Sequence, residues 1–233
     1  NLIIPVGRAS SLGAIKAKIA AIGKAVYIIT DGTAILGLGD IGPQAGAPVM
    51  TGKAILISGL ADIPAISLVL DETDPDQIVK ILTKILPERG GSINLEDLSS
   101  PHSFEVERKL QDKIAIPVFD DDQWGTGIVV AAALINGAKL MGKPLSDLVV
   151  HFQGAGAGAI GVALILIAAG VNPGKIQMAD SKGLLYAGRK GGMNDEKDHI
   201  AAIINAERRT GSWENGLRGA DIYIGLSAAE ADK

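Results

Sequence analysis

Residues 149–174 contain no Asp, Glu, Lys or Arg, and no other feature limits the fold as tightly. By length alone the run could cross a bilayer. Its interior, however, reads Gly154-Ala155-Gly156-Ala157-Gly158, with Gln153 before it and Asn172-Pro173-Gly174 after it. A glycine turn there leaves two pieces, each too short to span. A strand at 148–152, a tight turn and a buried helix at 159–169 account for the run better, with no membrane partner. The turn spells G-x-G-x-x-A from Gly154 to Ala159, and a further strand at 176–179 ends in Asp180, 21 residues beyond Ala159. Strand, glycine turn, helix and distal acid together form a dinucleotide-binding pattern. Gly154 permits the turn, Gly156 lets backbone approach a pyrophosphate, and Ala157 and Gly158 complete the loop. Ala159 is small enough for the helix to pack on the strand, and the helix N-terminus attracts phosphate. Asp180 would accept from ribose hydroxyls and repel a 2′-phosphate, which favours NAD over NADP, although Lys182 beside it counts the other way. Glycine turns also serve packing alone; the full context favours binding.

Composition narrows the remaining classes. Hydrophobic residues make up 47% and charged residues 21%, so the chain folds. The net charge of -4 argues against a nucleic-acid surface. With no cysteine, thiolate catalysis, disulfides and metal–thiolate sites are excluded. His102, His151 and His199 lack ligand spacing. The N-terminus shows no signal-peptide pattern, so the expected location is intracellular, in the cytoplasm.

Elsewhere short β-branched runs alternate with helical ones, the pattern of a parallel α/β fold. Strands are expected at 26–30, 92–95, 116–119 and 222–226, and helices after Asp74-Pro75, around Phe104–Leu110 and at 126–141. Residues 35–47 read as a glycine-rich loop. Leu12, Ile15, Ile19 and Ile22 recur at helical spacing in a strand-loop-helix piece, so residues 1–24 stand unassigned. The expected domains are 25–130, carrying substrate and metal, and 131–233, a Rossmann-type domain cut short at its end. The chain therefore reads as part of something longer.

In the first domain Glu96-Asp97 and Asp120-Asp121-Asp122 follow two predicted strands. Acids at the carboxyl ends of parallel strands converge on one rim. Clustered carboxylates repel unless a cation joins them, which suits Mg²⁺ or Mn²⁺. Either group alone could merely cap a helix; two in one domain favour a metal. Lys53 follows the glycine loop and leads the apolar run 54–57, read as a buried strand. A lysine there is a base with a tuned pKa or, more commonly, an ion-pair partner.

The blocks "TDGTAILGLGDIGPQAGAPVMTGKA" (30–54), "INLEDL" (93–98), "IPVFDDDQWGTGIVVAAAL" (116–134), "GAGAGAIGVALIL" (154–166) and "ADSKGLLYAGR" (179–189) resemble, in order, those of the malic enzymes. The resemblance runs over roughly residues 25–229 and is strongest to the shorter bacterial type. It implies oxidative decarboxylation of (S)-malate to pyruvate and CO₂ with reduction of NAD, or of NADP, and dependence on Mg²⁺ or Mn²⁺. It implies Glu96, Asp97 and Asp122 as metal ligands, Lys53 as the general base and Asp121 as its partner. It also implies cofactor contacts from Gly154, Gly156, Ala157, Gly158, Ala159, Asp180 and Thr126, and assembly as a homodimer or dimer of dimers.

Two departures stand out: Asp120 and Trp124 occupy positions where the family carries histidine. The family's general-acid tyrosine, in a Tyr-(Ser/Thr)-Pro-Gly-Val segment, and its Asn-Pro block after the last strand do not occur within these residues. Two alternatives remain: a malolactic or oxaloacetate-decarboxylating relative, and a dinucleotide-binding module without catalysis.

Overall fold

A computed structural model describes residues 2–7 and 11–227. The match quoted to residue 229 and the end of the second domain at 233 extend outside the described residues. The chain divides into two units, Asn1–Asp122 and Gln123–Lys233.

The first unit is built on β1 (Leu2–Val6), α1 (Leu12–Ile22), β2 (Val26–Thr30), α2 (Gly42–Ala61), β3 (Ala65–Leu70), α3 (Pro75–Ile85), β4 (Ser92–Leu95), α4 (His102–Lys113) and β5 (Val118–Asp120). Among the described residues its five strands are all parallel, in the order β1-β3-β2-β4-β5. Alternate residues of each strand face opposite sides. Tyr27 and Ile29 join Ile4, Ile66, Leu68, Ile93 and Leu95 in a core shared with α1, α3 and α4. Ile28, Ala65 and Val69 face the other way, against Met50 and Ala54 of α2. Asp74 caps α3 by accepting from the Gln77 N–H, with Pro75 in the first turn.

The second unit contains α5 (Thr126–Met141), β6 (Val150–Gln153), α6 (Ala157–Ala168), β7 (Ile176–Asp180), β8 (Gly183–Leu184), α7 (Asp195–Ile203), α8 (Trp213–Leu217) and β9 (Ile222–Gly225). Its sheet order is β8-β7-β6-β9, parallel except for the short antiparallel β8. Both units thus have the expected α/β architecture, with a parallel sheet followed by a Rossmann-type sheet.

Three expectations need correction. Residues 1–24 do not stand apart, because β1 pairs with β3 and α1 packs on α3. The boundary falls after Asp122, not after 130, because α5 belongs wholly to the second unit. Residues 42–47 and 54–57 are not loop and strand; both lie in α2. Met50 and Ala54, buried four residues apart, show the helical period that the short apolar run hid. The strand of this region is β3, buried on both faces and apolar except for Ser67, whose hydroxyl donates to the Met50 carbonyl at 3.0 Å.

The helix formed by Asp121–Met141 is long and apolar enough to cross a membrane by length and composition. Its buried stripe, Gly127, Ala131, Leu134 and Ala138, packs on α6, while 22% of its apolar window is buried and Ile128, Val129 and Leu140 are exposed.

Candidate functional site

In the first sheet the crossover after β2 leads to β3 on one side, and that after β4 leads to β5 on the other. Loops leaving β2 and β4 therefore diverge, and the crevice between their carboxyl ends is where open α/β sheets bind ligands. Glu96 and Asp97 follow β4, and Asp121 and Asp122 follow β5 in a five-residue π-helical turn, Asp121–Gly125. One carboxylate oxygen from each of Glu96, Asp97 and Asp122 lies within 4.8 Å of the others. Asp97 is buried and Glu96 and Asp122 are half-buried.

Lys53 reaches this cluster from α2. Its Nζ lies 2.6 Å from Glu96 Oε2 and donates also to Asp121 Oδ2. Asn94 donates to Glu96 Oε2 at 2.8 Å, a contact the sequence did not announce. The structure therefore brings Lys53, Glu96, Asp97, Asp121 and Asp122 together, and it gives Glu96 two tasks.

The electrostatics follow from this crowding. Burial pushes Asp122 up to about 7, and the charges of Glu96, Asp97 and Asp120 add to the shift, against a lowering hydrogen bond from the Asp97 N–H. Burial also raises Glu96 and Asp97, despite the opposing pull of Lys53. Burial pulls Lys53 down, but hydrogen bonds and charge from Asp121 and Glu96 outweigh it and hold the ammonium form. Crowded, partly buried carboxylates that resist ionising together are a hard donor set, and they fit a divalent cation. Asp120, the last residue of β5, is buried and adds to this negative field; Trp124 lies half-buried in the π turn.

In the second unit Gly154 leaves β6 with φ +120, and a Cβ there would lie 2.6 Å from the Leu226 carbonyl group. Only glycine fits that turn. At Gly156, the N-cap of α6, an added Cβ would project into open space, and no side chain caps the first turn. Ala157, Gly158 and Ala159 form that first turn with their amides ahead of it, and Ala159 is buried. This cradle fits a phosphate group. Thr126 opens α5 in the same unit.

Asp180 ends β7, as expected, yet its carboxylate is already committed. Oδ1 accepts from Lys182 N and Arg189 Nη1 at 2.8 Å each; Oδ2 accepts from Arg189 Nη2 at 2.6 Å and Lys197 Nζ at 2.7 Å. Four bonds use the lone-pair capacity of a carboxylate. Despite burial, these partners hold Asp180 far below the usual carboxylate range. A cavity of about 440 Å³ beside it is lined in part by Lys182, Arg189, Lys190 and Tyr186. Sequence reasoning missed Arg189 and Lys197; the basic residues following the acid within one loop and helix were the available signal.

A model of the malic enzyme N-terminal domain matches residues 8–75, and one of the malic enzyme NAD-binding domain matches residues 124–218. The chain belongs to the malic enzyme family. It is 45% identical over 209 residues to a bifunctional malic/malolactic enzyme of Bacillus subtilis, covering 90% of this chain and 50% of that one. It is 41% identical to an NADP-dependent malic enzyme of Escherichia coli, over 90% of this chain and 27% of that one. The crystal structure of an NAD-dependent malic enzyme from Thermotoga maritima superposes with a TM-score of 0.84 at 38% identity, covering 90% of this chain and 55% of that one. The chain thus spans about half, or less, of the length of these malic enzymes. The family includes both NAD- and NADP-dependent members, consistent with the expected dinucleotide class.

Proposed function

We propose that this chain supplies the base, the metal ligands and the dinucleotide fold of a malic enzyme. The reaction is oxidative decarboxylation of (S)-malate to pyruvate and CO₂ with reduction of NAD⁺ or NADP⁺. The carrying observation is the assembly of Lys53, Glu96, Asp97, Asp121 and Asp122 at one sheet crevice. Glu96, Asp97 and Asp122 hold Mg²⁺ or Mn²⁺; Gly154, Gly156, Ala157, Gly158 and Ala159 cradle the pyrophosphate, Asp180 with its basic partners faces the adenosine ribose, and Thr126 is a further cofactor contact. When bound, the divalent ion supplies Lewis acidity toward substrate oxygens and the dinucleotide supplies the hydride acceptor.

The chain's own contribution is proton handling. Lys53 Nζ, once neutral, takes the proton of the malate C2 hydroxyl, and Asp121 stabilises the ammonium that results. The pairing with Glu96 and Asp121 favours the charged lysine. Engagement of Glu96 by a cation therefore removes one of the two partners that keep Lys53 protonated. Tyr27 takes no part, because its ring is fully buried and its hydroxyl donates to the Gly23 carbonyl.

The cofactor preference rests on charge. Asp180 alone would repel a 2′-phosphate and select NAD. With Arg189 and Lys197 on its oxygens, that repulsion is offset, so NADP⁺ is also a substrate. We propose a homodimer or dimer of dimers in the cytoplasm, supported by Ile55, Leu56 and Leu60 exposed on α2; analytical ultracentrifugation tests the assembly.

Asp122→Asn is the test of the whole reading. Mn²⁺-dependent NAD(P)H formation from malate is lost while dinucleotide binding remains. Normal turnover by this variant would reject Asp122 as a ligand. Malolactic conversion is a second reading, supported by the Bacillus subtilis relative's name. Net NAD(P)H formation separates the two, since lactate production leaves the cofactor unchanged.

A further inference from the structure

The loop between β2 and α2 is bonded to the acidic cluster at several points. Asp97 sits at φ +55, in the left-handed region that a non-glycine residue adopts only when its surroundings hold it there. Three contacts from residues 33–36 do the holding. Ala34 N donates to the Asp97 carbonyl at 3.0 Å, and Leu36 N donates to Asp97 Oδ1 at 3.3 Å. Ser99 N donates to Thr33 Oγ1 at 2.9 Å. The Thr33 hydroxyl in turn donates to Oδ1 of the buried Asp31 at 2.7 Å. Its single proton is thereby committed to Asp31, and a lone pair is aimed at Ser99 N.

This arrangement has two consequences for Asp97. The Leu36 N–H occupies Oδ1 and leaves Oδ2 without that bond. The backbone turn also directs Asp97 N at Asp122 Oδ2, 2.7 Å away, so one ligand candidate orients another. The loop itself is stiff. Gly32, at φ +73, has no room for a Cβ, which would lie 2.3 Å from the Gly42 backbone, and the Gly32 carbonyl accepts from Ile41 N and Gly42 N.

We propose that Thr33 is a positioning residue for the metal ligand Asp97. Its hydroxyl ties the Glu96–Ser99 turn to Asp31 and sets the carboxylate direction, although it touches neither metal nor substrate. The proposal rests on the metal site proposed above. Outer partners of metal ligands commonly change affinity by about 10–100-fold when lost.

The experiment measures Mn²⁺ affinity of the 233-residue chain by electron paramagnetic resonance of the free ion, without malate or dinucleotide. Thr33→Val keeps shape but removes the hydroxyl, and it weakens Mn²⁺ binding about tenfold or more. Thr33→Ser restores the hydroxyl and returns affinity to within about twofold of the parent by the same reasoning. Dinucleotide affinity and melting temperature, read alongside, separate positioning from loss of fold. Should Thr33→Val fail to fold, Thr33→Ala makes the same comparison. Parent-like affinity in the hydroxyl-free variant overturns the role of Thr33, as does a Thr33→Ser variant as weak as Thr33→Val. A parent chain that binds no Mn²⁺ overturns the metal site itself, and the positioning role with it.

Discussion

Asp122 and Asp180 both stand at or just beyond the carboxyl end of a parallel strand, yet their surroundings treat charge in opposite ways. Asp122 faces Glu96, Asp97 and Asp120 in partial burial, and its carboxyl is pushed up to about 7. Asp180 meets Arg189, Lys197 and the Lys182 N–H, and it stays ionised far below the usual range. The first arrangement is under electrostatic stress that a cation relieves. The second is complete from the chain alone. An acid at a strand end can therefore be a site awaiting a ligand or a fixed charge that shapes one, and only its partners tell which.

Removing the central cation of the stressed cluster breaks this comparison most severely. Lys53→Ala deletes the proposed base and exposes Glu96 and Asp121 to each other's charge. General base catalysis contributes about 10²–10⁴-fold, so kcat for malate falls by that order. Steady-state malate oxidation with Mn²⁺ and either dinucleotide measures the loss. Retained activity would return Lys53 to the role of an ion-pair partner. Dinucleotide affinity stays unchanged, because the glycine turn lies in the other unit.

The satisfied clamp responds to a different loss. Arg189 is nearly buried, with its side chain 5% exposed against 11% for Asp180. Arg189→Met strips two of the four bonds from a largely buried carboxylate and leaves its charge less compensated. Breaking a buried pair from one side costs about 3–5 kcal/mol. Lys197 still holds Oδ2, which places the expected loss near 3 kcal/mol, the lower end of that range. Urea denaturation of the variant checks it. A loss below about 1 kcal/mol, the scale of an exposed pair, would show that the clamp is effectively solvated.

The difference between the units also explains what was legible in the sequence. The glycine turn and Asp180 were readable because a short local string fixes turn, helix start and distal acid at set spacing. The metal candidates were readable because acids following strands share a rim wherever the sheet is parallel. Lys53 was found but misplaced: "KAILI" looks like strand when only the short apolar run is weighed, whereas Met50 and Ala54 place the lysine on a helix. Strand β3 went unnoticed because it is buried on both faces, so its side chains, Ser67 included, show no apolar–polar alternation. Residues 1–24 were set aside because β1 gains its partner, β3, from a segment about sixty residues later. Arg189, Lys197, Asn94 and Thr33 were hidden for a common reason: each matters through a side-chain contact that no periodicity encodes.

Proton linkage gives the two units slopes of opposite sign. Asp122 is raised from 3.8 to about 7, so without metal its contribution to stability is full below about pH 4 and is lost as pH rises through 7. His151, fully buried on β6 and stacked against Tyr223, is lowered from 6.5 by burial and by the Arg209 charge. Its neutral form contributes stability above the unfolded value, and that contribution is lost as pH falls below it. Asp180, also lowered, loses its contribution only at far lower pH. Between pH 7 and pH 5 the metal-free first unit therefore gains stability while the second loses it. Intrinsic-rate-corrected hydrogen exchange, read separately for β4 and β6, measures both slopes. Mn²⁺ reverses the first, because the metal competes with the Asp122 proton and its affinity falls about tenfold per pH unit below 7. Slopes of the same sign in both units, or no response of the first to Mn²⁺, would defeat this account.

The smallest expected effect tests whether the clamp tunes cofactor choice. Lys197 is the more accessible cation of the Asp180 network, 20% accessible against 5% for Arg189, and it donates also to the Gly192 carbonyl. Removing it leaves Asp180 held by Arg189 and Lys182 N, so the fold tolerates the change and one positive charge disappears. A 2′-phosphate beside Asp180 then meets a less favourable field, whereas ribose hydroxyls gain an accessible carboxylate oxygen. Lys197→Ala is therefore expected to raise KM for NADP⁺ about three- to tenfold, the equivalent of roughly 1 kcal/mol for one screened charge. KM for NAD⁺ stays level or falls slightly. Lys197→Arg, which keeps the charge, leaves both values near those of the parent. The decisive measurement is kcat/KM for NAD⁺ and NADP⁺ in the three proteins at two salt concentrations. A charge effect shrinks with salt, because exposed pairs are screened over about 8–10 Å at physiological ionic strength. If the alanine variant changes both cofactors equally at either salt, Lys197 acts by holding the loop in place, and the preference is set by groups other than the clamp on Asp180.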